Sequence, residues 1–207
     1  MTNDVQPIED RQTGQKHLDR LVILSDGIFA IAITLSAIEL RPELVAGQSL
    51  WAAWSEPLFI YFLSFLIIGQ IWLGHRRIVS HLRDIDGPGT AINLLLLSLV
   101  ALMPVVIRFA LTNGVRAEAI QVYSLGIAAT YACMGALWGY LAFIGKLAPS
   151  VEPGEAWSWF FQSVFVAMLF VTAALFAGHL LIAAAMGVAL TLLLRWLGWR
   201  RTRKAAA

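Results

Sequence analysis

Charge is scarce in these 207 residues: Asp, Glu, Lys and Arg together make up 14%, against about 25% in a typical soluble domain. So few charges cannot solvate a surface built from 59% hydrophobic residues, and lipid has to take the place of water. Cysteine is scarcer still. A single Cys133 excludes an internal disulfide, and its apolar surroundings suit a small packing residue. No basic run is interleaved with aromatics, so nucleic acid is set aside as a partner. The stretch up to Asp19 mixes both signs of charge and has no short apolar core ahead of a cleavage site, so no signal peptide is expected. No nucleophile–base pair stands out, and an enzyme is not expected. Asp26 and His75 are too few ligands for a metal, and His75 and His81 do not share a helical face, so no metal or other cofactor is expected.

What the chain has instead is apolar runs. About 20 mainly apolar residues cross a bilayer as a helix, and six such spans can be drawn: Leu21 to Leu40, Pro57 to Arg76, Ala91 to Ala110, Ala119 to Ile144, Trp157 to Ala177 and Leu180 to Trp196. Breakers fall between them at Arg41-Pro42, Asp86-Gly87-Pro88-Gly89, Thr112-Asn113-Gly114, Pro149 with Glu152-Pro153-Gly154, and Gly178-His179. The expected fold is an all-α membrane protein with six transmembrane helices, residues 1–204 forming one transmembrane domain and 205–207 a C-terminal tail. Lys and Arg divide unevenly. The N-terminal segment, the second and fourth connections and the C-terminal end hold twelve, whereas Arg41, Arg108 and Arg116 alone face the other side. Both termini are therefore expected in the cytoplasm of a cell-membrane protein. Trp51, Trp54, Trp157, Trp159, Trp196 and Trp199 sit near span ends, as an interfacial aromatic belt does. The basic stretch from Arg195 to Lys204 suits contact with anionic membrane lipids.

The first span is unlike the others. It carries Asp26 and Glu39, each costing roughly 3 kcal/mol at mid-membrane on insertion scales. It is also dense in Ser25, Gly27, Ala30, Ala32, Thr34, Ser36 and Ala37, small residues that let helices approach closely. This suits a packed, inward helix rather than a lipid-facing anchor. Ile31, Leu35 and Ile38 fall on one stripe with Thr34 beside it, and Asp26 points about 140° away from Ile31. Ordinary helix packing accounts for such a stripe as well as a specialised face does.

Polar groups cluster at one depth. Arg20, Ser25 and Asp26 lie at the cytoplasmic end of the first span, Trp72 and His75 at that end of the second, and Asn93 at that end of the third. Arg20 and Asp26 stand about 240° apart around the helix and cannot pair with each other. An indole N–H, an imidazole and an amide can satisfy a carboxylate across helices. Such a network fixes helix register or takes part directly in transport.

Arg20, Leu24-Ser25-Asp26 and the following Gly-Ile-Phe-Ala-Ile-Ala-Ile-Thr-Leu resemble the signature of the endolysosomal-type potassium channel family, transmembrane protein 175, in its bacterial and archaeal branch. Trp72-x-x-His75, Asn93-Leu94-Leu95-Leu96 and the later Pro104 match further family elements. Leu24 replaces the family's Phe, and Arg76 replaces a second His. The resemblance implies a homotetramer in which the first helix lines a central pore for potassium and other monovalent cations. It would place Ile31, Thr34, Leu35 and Ile38 on the pore wall and Glu39 at the pore mouth, the alternative for Glu39 being pairing with Arg41 or solvation. A Thr34 ring could replace part of a cation's hydration shell, or Thr34 could bond back to the Ala30 carbonyl.

No Thr-Val-Gly-Tyr-Gly filter loop is present, so a ring of backbone carbonyls is not the expected selective element. The alternative to a channel is a secondary transporter for a small cation or proton. Transporters usually show two related halves with broken helices. Here the signature occurs once, and the first span has no proline.

Overall fold

The computed structural model describes residues 8–38, 40, 47, 49–114 and 116–205, and within these the side chains of all but 8–14, 194 and 197–205. The described chain forms six α-helices: α1 (Ile8–Ile38), α2 (Leu50–Val79), α3 (Gly87–Asn113), α4 (Ala117–Gly139), α5 (Pro153–Ala177) and α6 (Leu181–Ala205). Among the described residues five stretches are long and apolar enough to cross a membrane: Gln15–Ile38, Leu50–Val79, Gly87–Asn113, Ala117–Ile144 and Pro153–Ala177. The apolar part of α6 among the described residues is Leu181–Leu193, about 20 Å at 1.5 Å per residue. In the sequence Leu194 continues it, and the basic residues from Arg195 follow.

Two helix starts differ from the sequence reading. α1 begins at Ile8, so the polar segment before Leu21 continues the same helix. α2 begins seven residues ahead of Pro57, where the Ser49 hydroxyl accepts the Ala52 amide at 3.2 Å as an N-cap. Pro57 removes one backbone donor from a helix that continues around it.

The ends of the remaining helices are set by specific residues. Asp86 caps α3, its Oδ1 accepting the Gly89 amide at 2.9 Å, while the Tyr140 hydroxyl donates to Oδ2. Gly89 is required there. A Cβ would lie 2.9 Å from Asp86 Oδ1 and 2.9 Å from Ile85 Cγ1. After Gly139 the helix widens into a π-turn, Tyr140–Ile144, closed by the Gly145 amide on the Tyr140 carbonyl at 2.8 Å. α5 stops at Gly178 and the left-handed His179, φ 60°.

Lipid tails are as apolar as leucine, so helix association in a membrane rests on close packing and interhelical hydrogen bonds. α4 supplies both. Gly135 and Gly139 face α5, where added Cβ atoms would meet Ser163 Cβ at 3.4 Å and Phe160 Cε2 at 3.1 Å. Gly126 faces α3 against Met103 and Val106 at 3.2 Å. The buried Trp138 indole donates to the Ala156 carbonyl at 2.8 Å, and Tyr123 Oη and Ser64 Oγ share a hydrogen bond of 2.9 Å. α5 in turn packs on α6, and α3 carries α1, with α2 alongside α1.

Candidate functional site

The chemistry-bearing residues gather where α1 leaves the bundle. Ser25, Phe29, Ala32 and Ser36 recur at i, i+4, i+7 and i+11 and are all buried, so this face turns to α3 and α2. The opposite face is open. Ile31 is 58% exposed, Leu35 42% and Ile38 64%, and Thr34 lies exposed between them. Gly27 continues that face with nothing within 4 Å of the position a Cβ would take. The result is a single column of large apolar side chains interrupted by one hydroxyl. Glu39, expected beyond Ile38, lies outside the described residues.

Thr34 Oγ1 bonds to the Ala30 carbonyl at 2.9 Å and the Ile31 carbonyl at 3.0 Å. The hydroxyl proton is therefore directed back along the helix, and both lone pairs of the oxygen are left as acceptors. Ser25 and Ser36 make the same kind of bond on the buried face, to Leu21 and Ala32, each at 2.8 Å. Three hydroxyls thus occupy two opposite faces of α1 without leaving a donor unsatisfied.

Beneath the buried face lies a chain of polar groups. His75 Nε2 shares a hydrogen bond of 2.8 Å with Asn93 Oδ1, and Asn93 Nδ2 donates to Ser25 Oγ at 3.3 Å. α2, α3 and α1 are thereby joined through side chains that are buried in all three cases. The Phe29 ring covers His75, with centroids 5.5 Å apart. With His75 Nε2 as the donor, Asn93 accepts through Oδ1 and donates through Nδ2, which leaves no conflict of roles.

Asp26 and Trp72 form a second connection. Trp72 Nε1 donates to Asp26 Oδ1 at 2.8 Å. Asp26 is exposed, so the carboxylate is not enclosed as its position within the span suggested. The Arg76 guanidinium sits over the Trp72 ring, 5.6 Å from its centroid. Arg20 is also exposed and stands outside these hydrogen bonds. Its direction around α1, about 240° from Asp26, carries it away from the pair. Phe29 and Ser36 are the contributors that sequence reasoning missed, although their spacing from Ser25 marks them as one face. Among the described residues no group of three or more His, Cys, Asp or Glu side chains could hold a metal ion.

Residues 20–104 match the family model described as the endosomal/lysosomal potassium channel TMEM175. The match covers the apolar part of α1, all of α2 and most of α3, and so contains every residue of both connections. Three bacterial proteins are similar to the chain. A potassium channel of Streptomyces collinus is 33% identical over 137 residues, 62% of this chain and 66% of that protein. One of Chryseobacterium sp. is 31% identical over 111 residues, covering 52% and 56%. One of Chamaesiphon minutus is 38% identical over 98 residues, covering 44% and 47%. The matches thus span less than two thirds of the length of each of these relatives. No solved structure matches the chain.

Proposed function

We propose, from the match of residues 20–104 to the TMEM175 family model, that the chain forms a homotetrameric, potassium-conducting cation channel whose pore is lined by α1. The observation that carries the reading is the division of α1 into two faces. One is fastened to α2 and α3 by Ser25, Asn93 and His75; the other presents Ile31, Thr34, Leu35 and Ile38 outward, exposed among the described residues. One helix cannot enclose an axial pore, so several copies must meet on that face. Four would stack rings of Ile31, Leu35 and Ile38 into an apolar constriction that gates by excluding water. Glu39 would then contribute an acidic ring at the outer mouth.

Orientation follows from charge. Arg76, Arg77 and Arg83 near the α2–α3 turn and Lys146 between α4 and α5 lie at one end of the bundle, and the positive-inside rule puts that end in the cytoplasm. With α6 crossing as a sixth span, both termini lie on the same side of the cell membrane. The short apolar part of α6 is compatible with this if the residues from Arg195 onward reach the interface.

Liposome flux tests the function. Purified protein in vesicles carrying a potassium gradient should, without valinomycin or a co-solute, set up a membrane potential, and should release potassium once a protonophore carries the counter-charge. Flux only in the presence of a coupled solute or proton gradient would contradict a channel and favour a transporter.

A further inference from the structure

A cavity of about 610 Å³ lies between α2, α4 and α5, away from the outer face of α1. Its size falls in the range of ligand sites, about 300–1,000 Å³. It exists because α2 and α4 touch little at this level, while α5 leans on α4. The wall is mixed, with Met134 and Val166 beside Gln70 and Gln162, and Arg76 and Arg77 stand at the end of α2.

The two guanidinium groups are held in an unusual way. Arg77 lies 5.1 Å from the centroid of the Trp159 ring, and Trp159 leans on Trp138 with centroids 4.9 Å apart. Trp138 is fully buried and fixed through its indole N–H to Ala156. Arg76 rests on Trp72. Among the described residues both groups meet tryptophan faces rather than a carboxylate. Stacking on a ring leaves the donors at the guanidinium edge free, and that planar fork matches the oxygens of a phosphate. An open cleft between membrane helices, with apolar side chains among its walls and two cations at the end of α2, is complementary to an amphiphile with an anionic head.

We infer that the cavity between α2, α4 and α5 is a binding site for an anionic phospholipid, with an acyl chain between α2 and α5 and its phosphodiester on Arg76 and Arg77. The assignment of the lipid to the cytoplasmic leaflet rests on the orientation proposed above; the binding itself does not. Basic pockets between transmembrane helices on that side are a recurring form of headgroup site.

Native mass spectrometry of the full chain, delipidated in detergent and titrated with dioleoylphosphatidylglycerol or dioleoylphosphatidylcholine, tests it. The wild-type protein should retain phosphatidylglycerol in severalfold preference. R76Q/R77Q should bring the two lipids to parity, R76K/R77K should keep much of the preference, and Val166→Phe should weaken both by filling the slot. Equal binding of the two lipids by the wild type would overturn the site, as would a preference that survives R76Q/R77Q. Displacement of the lipid by soluble glycerol phosphate would show that the headgroup alone is recognised and would overturn the acyl slot. A change in subunit number with Val166→Phe, without loss of lipid, would mean that a second copy of the chain fills the cavity and would also overturn it. Because the readout is binding, absent conduction in liposomes would leave these outcomes unchanged.

Discussion

Thr34 illustrates how a hydroxyl on a membrane helix is committed before any ion arrives. Its proton is held by the Ala30 and Ile31 carbonyls, so the hydroxyl is tied to its own helix and adds one neutral oxygen to a face otherwise made of large apolar side chains. Ion preference is therefore expected mainly from the apolar constriction. Thr34→Ala should leave the potassium-to-sodium permeability ratio, read from bi-ionic reversal potentials, close to the wild-type value. Ile31→Asn should wet the constriction, raising leak conductance on the order of tenfold. The buried triad behaves differently. Asn93→Leu strands His75, whereas Ser25 keeps its bond to the Leu21 carbonyl; at about 1–3 kcal/mol for the unsatisfied group, it should lower the melting temperature. Adding His75→Phe should recover part of that loss, because removing both partners of a buried bond costs less than removing one. A double variant no more stable than the single one would contradict this. The triad was legible in the sequence through shared depth, since spacing along a helix fixes depth and azimuth. The separation of Arg20 and the exposure of Asp26 were not, because they depend on how α2 is rotated against α1, and one helix's periodicity carries no information about its neighbour's rotation.

At the scale of elements, α4 organises the second half of the chain. Gly135 and Gly139 are four residues apart and let α5 approach along one face, with Phe160 and Ser163 in the space that side chains would occupy. Gly139→Val should force α4 and α5 apart and destabilise the protein by about 1–3 kcal/mol, the usual cost of overpacking; thermal melting in detergent reads it. The Asp86 cap has a comparable weight. Asp86→Ala removes the acceptor for both Gly89 and Tyr140, and loss of an N-cap alone costs about 0.5–2 kcal/mol. Tyr140→Phe should cost less, since the cap to Gly89 survives. An equal loss from both substitutions would show that the hydroxyl, not the cap, fixes this turn. These elements were only partly readable beforehand. The break at Gly178-His179 and the start of α3 follow from turn residues. The start of α2 was read too late because Pro57 looks like a helix beginning, and the cap at Ser49 lies in a sequence with no apolar periodicity to announce it.

For the whole molecule the central issue is which surface of α1 faces which partner. In a single chain many apolar side chains are exposed, on α2, α3, α5 and α6 as well as on α1, as suits helices set in a bilayer. α1 is set apart by its small residues and by the hydroxyl within its open face, features that favour close approach of copies over contact with acyl chains. Cross-linking or native mass spectrometry should therefore give four chains per assembly. The most direct measurement is current block by cysteine modification. In a Cys133→Ser background, Ile38→Cys and Ser36→Cys sit two residues apart on opposite faces of α1. A charged, membrane-impermeant thiol reagent applied during bilayer recording of potassium current should block Ile38→Cys rapidly and leave Ser36→Cys unaffected. Current through Ile38→Cys that the reagent leaves unchanged, although labelling of the cysteine is complete, would contradict a pore lined by α1.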